Sequence, residues 1–351
     1  MQARTPATRS RLLPLALSPL LALVDDIAVI EHAVLEVPDP RSGHCVDDAG
    51  RALALACMMD RDPAAGELAA SCLGFLREMH LGGGRFRLRD GPRRDVVVSS
   101  DDGSGRAIHG IGIAASCAPW KTVRMSAQRL FCDVAEFNSE HLRARAHAVI
   151  GAASAADCDG MRSAARALVD RLVVGLEGHV ASDWPWPERR LTYGNGVIVE
   201  ALLAAAALRR DELGLRRALG MLRWLVGVET VAGHLSSTPV GGWASDETRP
   251  GFDQQPIEAW TLADAAVRAA EITGDLSWGG AVRLCASWFA GVNDTSTVMW
   301  DPSTGRSFDG LHCDGVNRNQ GAESALALLS TAVDLGRMRR LVRWPGQAAR
   351  S

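Results

Sequence analysis

The sequence contains one lysine and one tyrosine in 351 residues, and aromatic side chains make up only 5% of it. Lys121 stands against 37 arginines in an alanine-rich chain, which is better explained by coding bias than by chemistry. There is no basic excess. A formal net charge of −3 and a pI near 6.3 leave no cationic stripe for a nucleic-acid backbone. None of the eight cysteines form a C-x-x-C pair, so a zinc knuckle or thioredoxin-type motif is excluded. Cys57, Cys72, Cys117 and Cys285 sit in apolar, alanine-rich helical patterns, where a free thiol acts as a small hydrophobe. A reducing, cytoplasmic compartment is expected.

No apolar run is long enough to span a bilayer. Leu12 to Val24 comes nearest, but Pro14 and Pro19 interrupt it. Arg4, Arg9 and Arg11 precede it and imitate a secretory leader. No A-x-A cleavage site follows, and Asp25-Asp26 leads into a second apolar stretch, Ile27 to Leu35. A first core helix is expected here, the alternative being a cleaved signal. No Pro- or Ser-rich linker divides the chain. One domain over 1–351 is therefore expected, with its core at 12–335 and flexible ends at 1–11 and 337–351.

What is present is a helical alternation. Helix-period apolar spacing marks 46–60, 64–80, 104–117, 119–133, 141–151, 159–175, 196–209, 211–228, 254–273, 275–290 and 320–335. With the opening segment this makes about twelve helices. Asp211 caps one of them, Gly274-Asp275 separates two, and Pro256 suits a first turn. Val96-Val97-Val98 is the one strand-like run. So many helices with short returns and no constant repeat predict an all-α fold, a closed barrel of six helical hairpins.

Polar and aromatic residues gather in five loops, each at a helix entrance. His44, Cys45, Asp47 and Asp48 lead to Arg51, so the acids either cap the helix and pair with that arginine or face a ligand. Asp101-Asp102-Gly103-Ser104-Gly105-Arg106 repeats the arrangement. It lacks the lysine and spacing of a phosphate-binding loop, and its acids repel an anion. Asp183-Trp184-Pro185-Trp186-Pro187-Glu188 runs on to Tyr193, Gly194 and Asn195. Its tryptophans either stack on a sugar ring or plug the barrel end. Trp243 precedes Asp253-Gln254-Gln255-Pro256-Ile257-Glu258, where a capping box is the alternative. Asp309 precedes Asn317-Arg318-Asn319-Gln320 and Glu323. Taken singly, each cluster reads as a cap. Five of them around a ring of helices would line one mouth with acids, amides and tryptophans, groups suited to a neutral, hydroxyl-rich ligand.

The strings GHCVDDAGRAL, WPWPERRLTYGNG, GFDQQPIEA, WFAGVND and DGLHCDGVNRNQGAES resemble an all-helical bacterial domain. That domain occurs alone or C-terminal to proteins classed as glycosyltransferases. The resemblance runs from about Val24 to about Leu335. It implies an (α/α)6 toroid like those of six-hairpin glycosidases and sugar epimerases, and a carbohydrate ligand. Two departures stand out: the amide that usually follows the Asp47-Asp48 pair is missing in Ala49-Gly50, and Ser104 replaces a histidine. No Rossmann-like βα alternation or nucleotide-sugar site accompanies the domain.

Glycoside cleavage needs a protonated carboxyl and a carboxylate across the scissile bond. Asp48, Asp102, Glu188, Asp253 and Glu323 are candidates. Glu188 is expected as the acid, desolvated by Trp184 and Trp186, with Asp48 or Asp253 as the base. The expected substrate contacts are His44, Asp47, Arg51, Asp101, Arg106, Trp184, Trp186, Tyr193, Asn195, Trp243, Gln254, Gln255, Glu258, Asp309, Asn317, Asn319, Gln320 and Glu323. A binding module that serves a separately encoded glycosyltransferase would use the same lining without poised acids. An epimerase would draw on His44, His109, His234 or His312. No cofactor is called for. His312, Cys313 and Asp314 have no second ligand cluster, so no metal site is expected. The partner expected is an oligosaccharide or glycoside, not nucleic acid or membrane.

Overall fold

The computed structural model describes residues 13–59, 61–90, 99–178 and 183–343. Its helices are α1 (Ser18–Leu21), α2 (Val46–Met58), α3 (Ala65–Met79), α4 (Asp101–Cys117), α5 (Lys121–Val134) and α6 (Leu142–Ala155). There follow α7 (Arg162–Leu172), α8 (Asn195–Arg209), α9 (Glu212–Val228), α10 (Pro256–Thr273), α11 (Gly279–Phe289) and α12 (Ala322–Arg343). The even-numbered helices form a ring, each packing on the next, and α12 closes it against α2. Helices α3, α5, α7, α9 and α11 pack outside that ring, with α1 against α12. The chain is an (α/α)6 toroid.

The two layers follow from sequence. Outer helices bury one stripe: Ala165, Leu168, Val169 and Leu172 in α7, and Ala218, Met221, Leu222 and Leu225 in α9. Inner helices are buried on nearly all sides, as in the unbroken run Asn195 to Ala206 of α8. Glycines let inner backbones touch. A Cβ on Gly110 would sit 2.2 Å from the Gly50 carbonyl oxygen, and one on Gly112 would sit 2.1 Å from that of Gly151. A Cβ on Gly50 would also sit 2.5 Å from the Arg106 carbonyl oxygen, so α2 and α4 pack closely there. Ser104 is likewise structural: its hydroxyl donates to the Ser100 carbonyl (2.8 Å) and accepts from the Phe86 amide (3.1 Å).

Because outer and inner helices alternate, every inner helix begins at the same end of the ring. The caps agree in part with expectation. Asp211 accepts from the Gly214 amide at 2.9 Å, Gly274 adopts φ 71°, and Pro256 opens α10. The opening run differs: it yields only the single turn of α1. Pro14 and Pro19 limit it, and Asp25 then accepts from the Ile27 and Ala28 amides (2.9 and 3.2 Å), turning Val24 back onto Val29. A hairpin, Ala33–Val34 with Val37–Pro38, follows. Helix α12 also outruns its expected end, because Arg337 is anchored by Glu271 (2.9 Å) and Asp334 (2.9 Å) instead of being solvated. The arginines of the possible leader and the Val96-Val97-Val98 run lie outside the described residues. Among the described residues, six two-stranded antiparallel ribbons, each strand two or three residues long, decorate the loops. Among the described residues no helix is long and apolar enough to cross a membrane.

Candidate functional site

The first turns of the inner helices meet at one mouth, joined by a chain of charged contacts. Asp48 of α2 is buried and binds Arg51 at 2.9 Å, while the other end of that guanidinium holds Glu323 of α12 at 2.8 Å. Burial pushes the Asp48 carboxyl up to about 7, with Glu323, Glu31 and Asp47 adding to the rise and Arg51 opposing it. Asp47 pairs with Arg106 of α4 at 2.8 Å, and Arg106 lies 3.6 Å from Asp102. The Tyr193 hydroxyl donates to Asp102, reaching across from the entrance of α8. Burial and that acid push the tyrosine up to about 12.

Arg143 of α6 is the hub of the next sector. It donates to both Glu188 oxygens (2.8 Å each), to the Tyr193 carbonyl and to Asn195 Oδ1 (3.3 Å), and it sits 4.7 Å over the Tyr193 ring. Glu258 of α10 accepts from the Gly194 amide (2.6 Å) and the Asn195 amide (3.4 Å), tying α10 to the start of α8. It therefore serves a neighbouring helix and not a capping box of its own. Burial and then Glu229 push the Glu258 carboxyl up to about 8.

Other expected contacts are placed differently. Trp186 has no exposed surface and packs 6.0 Å from Trp224, so it offers no face to a ligand. Trp184 is half-buried, edge-on to Trp224 and Trp243, and its Nε1 donates to the Glu188 carbonyl at 2.9 Å. His44 is buried and held by Asp25 at 3.0 Å. Asp101 accepts from Ser139 at 2.6 Å. Gln320 is buried between Thr304 (2.7 Å) and Asp301 (3.3 Å), and Asn319 accepts from the Leu35 amide at 2.9 Å. Asn317 accepts from the Asn319 amide (3.2 Å), and Asp309, pushed up by burial, accepts from Gly321 (2.8 Å). Gln254 is fully buried, whereas the adjacent Gln255 is half-buried. Asp253 is half-exposed and meets His312 at 2.6 Å.

Below the mouth, His147 and His109 face each other through their Nδ1 atoms at 3.3 Å. Burial pushes His109 down to about 4. His147 lies well below its ordinary value, through burial and then Arg106, His109, Arg51 and Arg143. Sequence reasoning missed Arg143 and His147. One signal was there to find: a polar first-turn residue followed four positions later by another in an apolar helix. Asp47 with Arg51 and Asp102 with Arg106 share it with Arg143 and His147. Among the described residues no group of three or more His, Cys, Asp or Glu is arranged to hold a metal.

No protein-family model matches the sequence, and no curated protein is significantly similar to it. Solved structures do share its fold. A sugar epimerase from a ruminal bacterium superposes with a TM-score of 0.66 at 12% identity, over 91% of this chain and 95% of that one. Cellobiose 2-epimerase from Bacillus thermoamylovorans gives 0.66 at 12%, over 92% and 95%. A GH76 α-mannanase from Bacteroides thetaiotaomicron gives 0.62 at 10%, over 93% and 95%. At such identities the likeness establishes the six-hairpin toroid and nothing finer.

Proposed function

We propose that the protein processes a carbohydrate at this mouth by glycoside hydrolase-like acid–base chemistry. One observation carries the reading: Asp48 and Glu323, from neighbouring inner helices, grip the same buried guanidinium. Two carboxyls on one guanidinium stand no more than about 8 Å apart, inside the separations of up to about 9.5 Å that glycosidase pairs use. Asp48, with its proton held to about pH 7, is the acid that protonates the leaving oxygen. Glu323, whose side chain is 39% exposed, is the carboxylate that activates water or attacks the sugar. Glu188 has both oxygens committed to Arg143, so it braces the mouth instead of delivering a proton. Tyr193, at 39% exposure, is the aromatic face open to a sugar ring.

The fold shared with sugar epimerases and a mannanase supports a carbohydrate as the ligand class. The test is a panel of α- and β-linked oligosaccharides incubated with purified protein, with products resolved by chromatography. Asp48→Asn and Glu323→Gln should each lower product formation by at least about 100-fold. Wild-type rates in both variants would remove the assignment. Calorimetric binding without any product would leave a glycan-binding module in its place.

A further inference from the structure

The entrances of α10 and α12 hold a polar cluster that the acid–base pair above leaves unused. The loop between α9 and α10 carries a tight hairpin, Thr230–Val231 paired with His234–Leu235. Ala232 and Gly233 at its tip have φ of 49° and 85°, as a two-residue primed turn requires. Leu235 enters the core, so strand alternation turns His234 the other way. His234 Nε2 meets Asp294 Oδ1 at 3.1 Å, and the two side chains keep 20% and 19% of their surface exposed.

Asp294 comes from the loop between α11 and α12, and it is itself held. Its Oδ2 accepts from Gln254 Nε2 at 2.6 Å, and Gln254 Oε1 accepts from Trp288 Nε1 at 2.8 Å. Gln254 and Trp288 have no exposed surface. Trp288 can only donate, so it fixes which end of the Gln254 amide faces Asp294. Burial pushes the Asp294 carboxyl up, but hydrogen bonds from Gln254, His234 and Ser236 outweigh it and hold the group below its usual range. The neighbouring Asp253–His312 pair lacks such backing, at 52% and 37% exposure.

We infer that His234 is a proton-accepting residue of the sugar site, and that Gln254, acting through Asp294, is its positioning residue. A carboxylate on Nε2 keeps the ring proton there and leaves the Nδ1 lone pair to a ligand. Nδ1 takes the proton of a sugar hydroxyl. The O–H electron pair stays on that oxygen, and the imidazolium, paired with Asp294, returns the proton to the same oxygen afterwards. The assignment rests on the carbohydrate reading.

The full-length chain, labelled with 15N in its histidine rings, provides the test by long-range proton–nitrogen correlation. Wild type should show the Nε2–H tautomer at His234, and Asp294→Asn and Gln254→Met should show a mixture of both tautomers. A sugar from a panel of mannose, glucose, cellobiose and mannobiose should move the His234 Nδ1 resonance. In turnover, Gln254→Met should lower kcat about tenfold with KM unchanged, and His234→Gln should lower it by at least about 100-fold. Asp294→Asn is nearly isosteric and keeps the tautomer test valid should Gln254→Met fail to fold. An Nδ1–H tautomer in wild type overturns the assignment. So does a sugar that moves the mouth amides and leaves the His234 ring unmoved. A panel that moves nothing at the mouth sinks the carbohydrate reading, and this one with it.

Discussion

Replacing Asp48 with Asn removes the one ionisable group that burial places near neutrality at the shared guanidinium. A folded-state value of about 7 against 3.8 corresponds to about 4 kcal/mol. The sign follows from which state holds the proton more tightly. The folded protein does, so this contribution to stability is complete below pH 3.8 and is lost as pH rises through about 7. Asn cannot ionise, so the variant keeps what wild type loses. Chemical denaturation at a series of values from about pH 4 to about pH 8.5 should give a variant-minus-wild-type difference that climbs by about 4 kcal/mol, with the steepest part below pH 7. Activity should follow the opposite course, because the variant has no proton to donate. A stability difference that is flat across the range would refute the burial of Asp48 and the acid role built on it.

Four further outcomes are expected. Gly110→Ala, whose methyl would meet a carbonyl oxygen at 2.2 Å, should cost at least about 2 kcal/mol, whereas Gly220→Ala on the open face of α9 should gain about 1 kcal/mol; urea midpoints separate them. Arg143→Met removes the guanidinium that holds both Glu188 oxygens and should lower unfolding free energy by about 3 kcal/mol, measured in the same way. Burial raises the Asp264 and Asp334 carboxyls, and Asp334 raises Asp264 further, so wild type loses stability as pH rises from 3.8 through about 6, where Asp334 titrates. Asp264→Asn should flatten that decline in a thermal melt series. Tyr193→Phe unties the entrance of α8 from Asp102 and should raise KM more than it lowers kcat.

Much of the ring was legible because period and punctuation agree. The i, i+3, i+4, i+7 stripe of α7 and the all-round apolar run of α8 distinguish the outer from the inner layer before any contact is known. The opening segment was misread because apolar content alone cannot register that Asp25 will turn the chain on itself. The clusters of acid and amide were recognised, but their division of labour was not. Gln320 and Asn319 are consumed in holding loops, and Glu258 secures the neighbouring helix. These are contacts between residues tens of positions apart, which no local pattern encodes. Glu188 seemed desolvated because tryptophans flank it in sequence. In space its partner is Arg143, 45 residues earlier.

The common direction of the inner helices has an electrostatic consequence. Six helix starts aim their first-turn amides at one opening, each start worth about half a positive charge. Together with three arginines they offset the crowd of carboxylates gathered there, and the potential over the opening falls toward zero. Such a vestibule neither draws in nor repels ions at a distance. A neutral polyol should enter at a rate nearly indifferent to ionic strength, which stopped-flow binding across a salt series would read directly.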